Sequence, residues 1–398
     1  MVVIRSKQVL LALTLLVGML AKAVGSEIKL YGLIDSGVAY QRIHLPETPI
    51  PRDGIDGFDG SEFGIRSGQQ ASSRWGIRGT ERLDGTNQVE FRLEKGIFAG
   101  SGDTSGKLRI STLSWINDDL GKVVIGRRNN ASSSVLDDID PMGGSYDTAS
   151  WQSSMGSASI RYSNQVLFES RKMAGFMFAA SYAFDIDNNV FYIVDNRPAN
   201  AAQLRPGESS FSTINKNRAL SLGVRYENGP MLLAGSYDQI FPNAGTIDAI
   251  PKGGPKAWIL GGTYDLSVVK LSLAVSQQID GLIQGGQALT RAGIQGGISN
   301  TNGDILLFPG AKTTSWLAGA TIPLGGNASV FGSFQQSRPS GSLSERGADA
   351  LQNITSVGYS YSLSKRTSFY AYFSYATGYL YIAESNVSTV GTGIVHRF

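Results

Sequence analysis

Four aspartates crowd the segment Leu136 to Trp151, LDDIDPMGGSYDTASW: Asp137, Asp138, Asp140 and Asp147. Clustered carboxylates can move protons, hold a cation or set a local field. Acid–base or nucleophilic catalysis usually recruits a histidine or a cysteine. This chain has only His44 and His396 and no Cys, and neither His has a Ser or carboxylate partner suggested by the sequence. No catalytic residue, metal site or cofactor is therefore expected, and the chain is not expected to be an enzyme. The opposite charge sits in the short stretches around that segment. Arg74, Arg78 and Arg82 recur at every fourth residue in SRWGIRGTERL, Arg109 follows, Arg127 ends KVVIGRR and Arg161 lies in SASIRYS.

The elements that must carry these charges alternate with a period of two. Trp75, Ile77 and Leu83 oppose the three arginines of SRWGIRGTERL, and Val89, Phe91 and Leu93 oppose Gln88, Glu90, Arg92 and Glu94 in QVEFRLE. Phe369, Ala371, Phe373 and Tyr375 oppose Ser368, Tyr370, Tyr372 and Ser374. That is a strand with one apolar and one polar face. About sixteen such segments are legible. Short turns such as DGTN, DDLG, ENGP and LSKR alternate with long connections near 41–71, 99–107, 129–156, 186–217, 241–255, 279–311, 338–351 and 376–388. Tight turns at one end and long loops at the other, with no apolar run of helix-spanning length after Leu20, point to an all-β fold: a closed sixteen-stranded antiparallel barrel in a membrane. A closed barrel pairs every backbone group, which hydrocarbon demands.

Composition agrees. Gly is frequent at 49 residues, with 16 Tyr and 17 Phe, which suits many short strands and turns. Arg5 and Lys7, the apolar run Val9–Leu20 and the small residues Ala21–Ala23 read as a secretory signal peptide over 1–23, with cleavage after Ala23 or, next, Gly25, leaving 24–398 as one barrel domain. Without that leader the chain holds 32 basic and 32 acidic residues, so net charge gives no basis for a nucleic-acid partner and none is expected. The GTG of Gly391–Gly393 lies in a strand with no helix after it and lacks phosphate-cradling geometry.

In order along the chain, LYGLIDSG, SRWGIRGTERLDG, DLGKVVIGRRN, SIRYSN and the terminal HRF resemble the trimeric general porins of Gram-negative bacteria, most closely the beta-proteobacterial branch. The resemblance implies a homotrimer in the cell outer membrane, among its lipid and lipopolysaccharide, that passes ions and small hydrophilic solutes. It implies a third loop folded into the barrel, and a terminal Phe398 read by the barrel-assembly machinery. LDDIDPMGGSYDTASW takes the place of that loop. By the same matching, Arg74, Arg127 and Arg161 fall where porins place wall arginines and Asp138 where they place a loop acid, with Asp137 and Asp140 beside it. Arg78, Arg82 and Arg109 extend a lumen ladder by strand parity. Met142 stands where enteric porins often carry Glu, and Leu33 replaces a wall cation, so the sign of any ion preference stays open. Two simpler readings stand beside this one. The arginines can pair with Glu90 and Glu94, and Asp147 can cap a turn. The rival functions are a channel selective for particular anions or organic acids, with Tyr146 and Trp151 lining a site, and an adhesin using the long loops.

Overall fold

The computed structural model describes residues 26–46, 57–186, 190–194, 197–200, 217–242, 254–283, 305–345 and 347–398. The leader and both cleavage positions lie outside these residues, as do most of the expected connections 186–217, 241–255 and 279–311.

The chain closes a sixteen-stranded antiparallel β-barrel. Its strands are β1 (Ser26–Leu45), β2 (Phe58–Ser67), β3 (Arg74–Arg82), β4 (Asn87–Gly96), β5 (Ile110–Asn117), β6 (Gly121–Asn129), β7 (Arg161–Ser170) and β8 (Phe176–Ala183). A small hairpin follows, β9 (Val190–Val194) and β10 (Arg197–Asn200). The wall resumes with β11 (Arg218–Asn228), β12 (Met231–Phe241), β13 (Lys256–Asp265), β14 (Lys270–Ile283), β15 (Ile305–Pro323), β16 (Ala328–Gly341), β17 (Gln352–Ser362), β18 (Thr367–Thr377) and β19 (Asn386–Arg397). Both β2 and β3 pair with β1, on its upper and lower halves, so they form one wall position interrupted at 68–73. The expected long connection over 41–71 is thus mostly strand: β1 runs on to Leu45 and β2 returns alongside it.

Neighbours along the wall pair in sequence, and β1 closes against β19 from Leu33↔Arg397 to His44↔Asn386. The seam ends with Gly32 N–H donating to Phe398 O at 3.1 Å and Phe398 N–H to Gly32 O at 3.0 Å. Outward positions are apolar and exposed, as in Leu113, Ile125, Leu260, Leu273, Val390 and Ile394, while inward positions are mostly small or polar, such as Ser221, Ser276, Ser315 and Ser337. A face of this kind suits lipid outside and water inside. The buried apolar clusters lie inside the barrel, where the segment 130–160 and the inturned upper chain pack on the wall.

Candidate functional site

The segment 130–160 is folded inward and held at both ends. Its first turn is the helix α1 (Ala131–Leu136), N-capped by Asn130. The wall residue Asp238, fully buried on β12, accepts from Asn130 Nδ2 at 2.8 Å and from Ser132 Oγ at 2.5 Å, and Ser132 N–H donates to Ser221 Oγ at 3.1 Å. Val135, Leu136 and Ile139 then pack on Leu232, Ile259, Ala274 and Leu317. At the far end Tyr146 is buried against Phe331, Tyr370 and Tyr372, with ring centroids 5.0–5.7 Å apart. Its N–H donates to Gln69 O at 2.7 Å, and its hydroxyl accepts from Gln70 Nε2 at 2.7 Å. Gln69 and Gln70 lie where the wall breaks between β2 and β3, and that break is fixed by Asp35, which accepts from the N–H groups of Gln70 and Ala71 at 2.7 and 2.8 Å. The segment returns along β15–β17, with Gln335 donating to Ala149 O, Ser315 to Ser154 O and Gln352 to Ser153 O.

The loop therefore packs on the inner wall of the later strands and, through α1, on Val124 of β6, Leu167 of β7 and Glu169, while Arg74 of β3, Arg92 of β4 and Arg109 stay partly exposed. That wall is basic. Glu94 on β4, only 2% exposed, gathers Arg92 Nη2 at 3.0 Å, Arg109 Nε at 3.1 Å and Arg74 Nε at 3.5 Å, and accepts from Tyr31 Oη at 3.1 Å. Arg92 also donates to Tyr31 Oη at 2.6 Å. Arg161 is half-buried, with Arg109, Arg127, Glu94 and Arg74 as its charged surroundings. A bulge places Arg127. Gly126 has φ +128°, and a Cβ there would meet Ser111 O at 2.1 Å, so only glycine fits. The β6–β7 register shifts at this point, re-aiming the following side chain as bulges do. Arg127 donates to Leu108 O and Ser163 Oγ, both at 2.8 Å, while Arg128 reaches Glu169 at 3.0 Å. Lys122 and Ser134 join the same carboxylate.

Each loop acid has its own surroundings. Among the described residues, none of Asp137, Asp138 and Asp140 forms an ion pair with Arg74 or Arg161. Asp138 is paired with Arg225 of β11 at 3.0 Å, and Arg225 also donates to Asp137 O at 2.7 Å. Burial raises the Asp137 carboxyl above the usual range, helped by Asp138 beside it and opposed by Arg225 and Arg128. Asp140 turns into the loop, accepting the N–H groups of Met142 and Gly144 at 3.0 Å and Trp151 at 3.1 Å. The chain reverses over Pro141–Gly144, and an Asx-type acceptor satisfies its donors. Burial still outweighs those bonds and pushes its pKa up to about 6. Asp147 begins a 3-10 turn and accepts from Tyr372 Oη at 2.9 Å. Met142, Tyr146 and Trp151 are buried packing residues.

Among the ladder positions, Arg109 joins the Glu94 cluster and Arg78 is an exposed inward residue of β3. Arg82 is bound to Asp118 at 2.6 Å at the tight-turn end, away from the cluster. Arg92, Arg128 and Arg225 were not among the expected site residues: Arg92 shares inward parity with Glu94, whereas Arg128 faces inward through the register shift after Gly126 and Arg225 lies on β11, where no residue had been singled out. Leu33 is buried against the loop, which explains an apolar residue on an inner wall.

A closed barrel with an apolar belt, a polar interior and an inward loop facing a bank of arginines defines a membrane channel of the bacterial outer membrane. The chain belongs to the Gram-negative porin family, whose model matches residues 12–378. It is 35% identical to an outer membrane porin protein of Bordetella pertussis, over 98% of this chain and all of the relative. It is 26% identical to outer membrane porin protein 32 of Delftia acidovorans, over 97% of this chain and 92% of that one. Among solved structures, the anion-selective porin from Comamonas acidovorans superposes with a TM-score of 0.65 at 23% identity, covering 94% of this chain and 100% of its own. The protein is an outer-membrane porin, a channel and not an enzyme.

Proposed function

We propose that this porin is a diffusion channel for ions and small hydrophilic solutes that prefers anions, with its constriction between the inward loop and the arginines of β3–β7. The convergence of Arg74, Arg92 and Arg109 on the single carboxylate Glu94, with Arg127 and Arg161 alongside, carries this reading. Three arginines sharing the single carboxylate of Glu94 leave excess positive charge on one bank, and the low-dielectric wall focuses it into the water column. Asp137 and Asp138 supply the opposite sign on the loop bank, tempered by Arg225. The Comamonas acidovorans porin of the same fold is named anion-selective, which supports the sign.

The test is the reversal potential of the purified protein in a planar bilayer across a KCl gradient, beside Arg74→Ala/Arg127→Ala/Arg161→Ala. The variant is expected to move toward cations by about 20-fold in permeability ratio, taking about 0.6 kcal/mol per charge removed. An unchanged ratio places the constriction elsewhere. A selective site for organic acids at the same arginines is the second reading, supported by the same cluster. It predicts that carboxylate current saturates with concentration while chloride current does not.

The homotrimer, export through a cleaved 1–23 leader and recognition of Phe398 by the assembly machinery belong to the same proposal. The broad outer exposure of Ile28, Leu30, Phe63 and Ile65 on β1 and β2, 65–72% each, supports a subunit contact there. Light scattering in detergent tests it.

A further inference from the structure

A cavity of about 460 Å³ lies beside Asp138 of the inward loop, at the tight-turn end of β11–β14 and away from the Glu94 cluster of β3–β5. That volume is within the range of small-molecule pockets. Six charged side chains line it: Asp138, Lys172, Arg225, Glu227, Asp265 and Lys270. Four of them satisfy one another. Arg225 reaches Asp138 at 3.0 Å and Glu227 at 2.5 Å, and Lys172 pairs with the other oxygen of Glu227.

Asp265 and Lys270 are left over. Asp265 shares the parity of the buried inward residues Ile259 and Thr263 on β13, and Lys270 that of Ser272 and Ala274 on β14, so both belong to the lumen face. They stand directly opposite in register, with Cβ atoms about 5 Å apart, yet neither forms an ion pair among the described residues. One oxygen of Asp265 accepts the Ser267 N–H at 2.7 Å, which holds the carboxylate at the turn. Its other oxygen and the Lys270 ammonium have no hydrogen-bond partner among the described residues.

The mixture of signs decides what can bind. A simple anion drawn to Lys270 also faces Asp265, Glu227 and Asp138, and a simple cation drawn to Asp265 also faces Lys172 and Arg225. A molecule that carries both signs a short distance apart matches the free pair. Thr263 adds a hydroxyl one inward position from Asp265, and Leu232 and Pro230 offer apolar surface to a short side chain.

We propose that this cavity is a subsite for small zwitterions of the amino-acid class, which place their carboxylate on Lys270 and their ammonium on Asp265. Such solutes have no net charge and gain little from the field of the arginine bank, so a resting point of their own raises their concentration in the lumen. The site needs a water-filled channel but no particular ion preference.

Tracer flux of alanine into proteoliposomes holding the purified protein tests this, with glycerol as the uncharged comparison. Alanine flux is expected to saturate with concentration while glycerol flux stays linear. Propionate and ethylammonium, each lacking one of alanine's two charges, should compete far less than glycine does. Lys270→Gln/Asp265→Asn should raise the half-saturating concentration on the order of tenfold, as the loss of two exposed ion-pair contacts gives. The tight-turn control Lys365→Ala/Arg366→Ala should keep the wild-type value. Linear alanine flux in the wild type, unchanged saturation in the double variant, or equal competition by propionate or ethylammonium would each overturn the proposal. Because the exchange removes one charge of each sign, the KCl reversal potential should stay at the wild-type value, and a shift would assign the pair to ion selectivity and overturn the proposal as well. Heat-resistant gel mobility reports that the double variant is folded. If it is not, Lys270→Gln alone must still raise the half-saturating concentration severalfold.

Discussion

Replacing Glu94 by Gln separates charge from scaffolding at the basic wall. Glu94 is the common partner of Arg74, Arg92 and Arg109. Gln is nearly isosteric and still offers an acceptor to the guanidinium groups, so they should keep their places while the wall gains one net positive charge. An ion passing about 7 Å from that position feels one unit charge as about 0.6 kcal/mol at the dielectric constant of water. At 0.1 M salt, with a Debye length of about 10 Å, half of that survives. The effect has opposite sign for chloride and potassium, so the permeability ratio changes by about 0.6 kcal/mol, or about threefold toward anions, rising to about eightfold where screening fails. The assay is the zero-current potential in a tenfold KCl gradient, repeated at 0.01 and 1 M. The shift should shrink steadily as salt rises. A shift toward cations, or one independent of salt, would mean that Glu94 acts by holding the arginines in place at the lumen, and the electrostatic account would fail.

The loop anchors give sharper structural predictions. Tyr146→Ala removes a buried ring and the Gln70 hydrogen bond, a loss of about 3–5 kcal/mol at the loop tip. Single-channel recordings should then show frequent sub-level flicker, and quiet openings would contradict the anchoring role. Asp238→Ala leaves the buried Asn130 amide and Ser132 hydroxyl short of an acceptor, at about 1–3 kcal/mol each, and hydrogen exchange over 131–136 should quicken at least tenfold. Asp140 offers a pH test. Its pKa of about 6 lies above the ordinary 3.8, so between these values the folded chain holds a proton that the unfolded chain has released. Its contribution to stability is therefore greatest at low pH and falls as pH rises from about 4 to about 6, by about 3 kcal/mol. Urea-unfolding free energies of the wild type relative to Asp140→Asn should decline across that window and be flat above it.

The wall was legible because alternation is imposed twice on each strand, by lipid outside and water inside. All sixteen wall positions, and tight turns such as Asp84–Asn87 and Leu363–Arg366, fall where the pattern puts them. What alternation could not convey is how far a strand projects beyond the membrane, where neither solvent enforces it, and β2 was accordingly read as part of a loop. The inward loop was legible from its acids and glycines, but the use of each acid was not. Asp140 serves its own backbone, because the reversal at Pro141–Gly144 leaves donors that need an acceptor. Asp138 serves Arg225, a residue 87 positions away that no local pattern links to it. Conversely, pairing of arginines with Glu94, the plainer of the two sequence readings, is what the geometry displays for Arg74 and Arg109, and the same parity would have found Arg92.

The seam between the first and last strands sets a rule for how the molecule comes into being. Every other wall pairing joins near neighbours along the chain, yet the ring is completed by β1 on β19, from His44↔Asn386 to the hydrogen bonds between Gly32 and Phe398. Until β19 exists, the sheet has two open edges, each a row of unsatisfied amides that hydrocarbon will not accept. A polypeptide without β19 cannot stably occupy the bilayer, because its wall carries a gap. Insertion is thus tied to the presence of β19, without which the preceding fifteen strands cannot close into a pore.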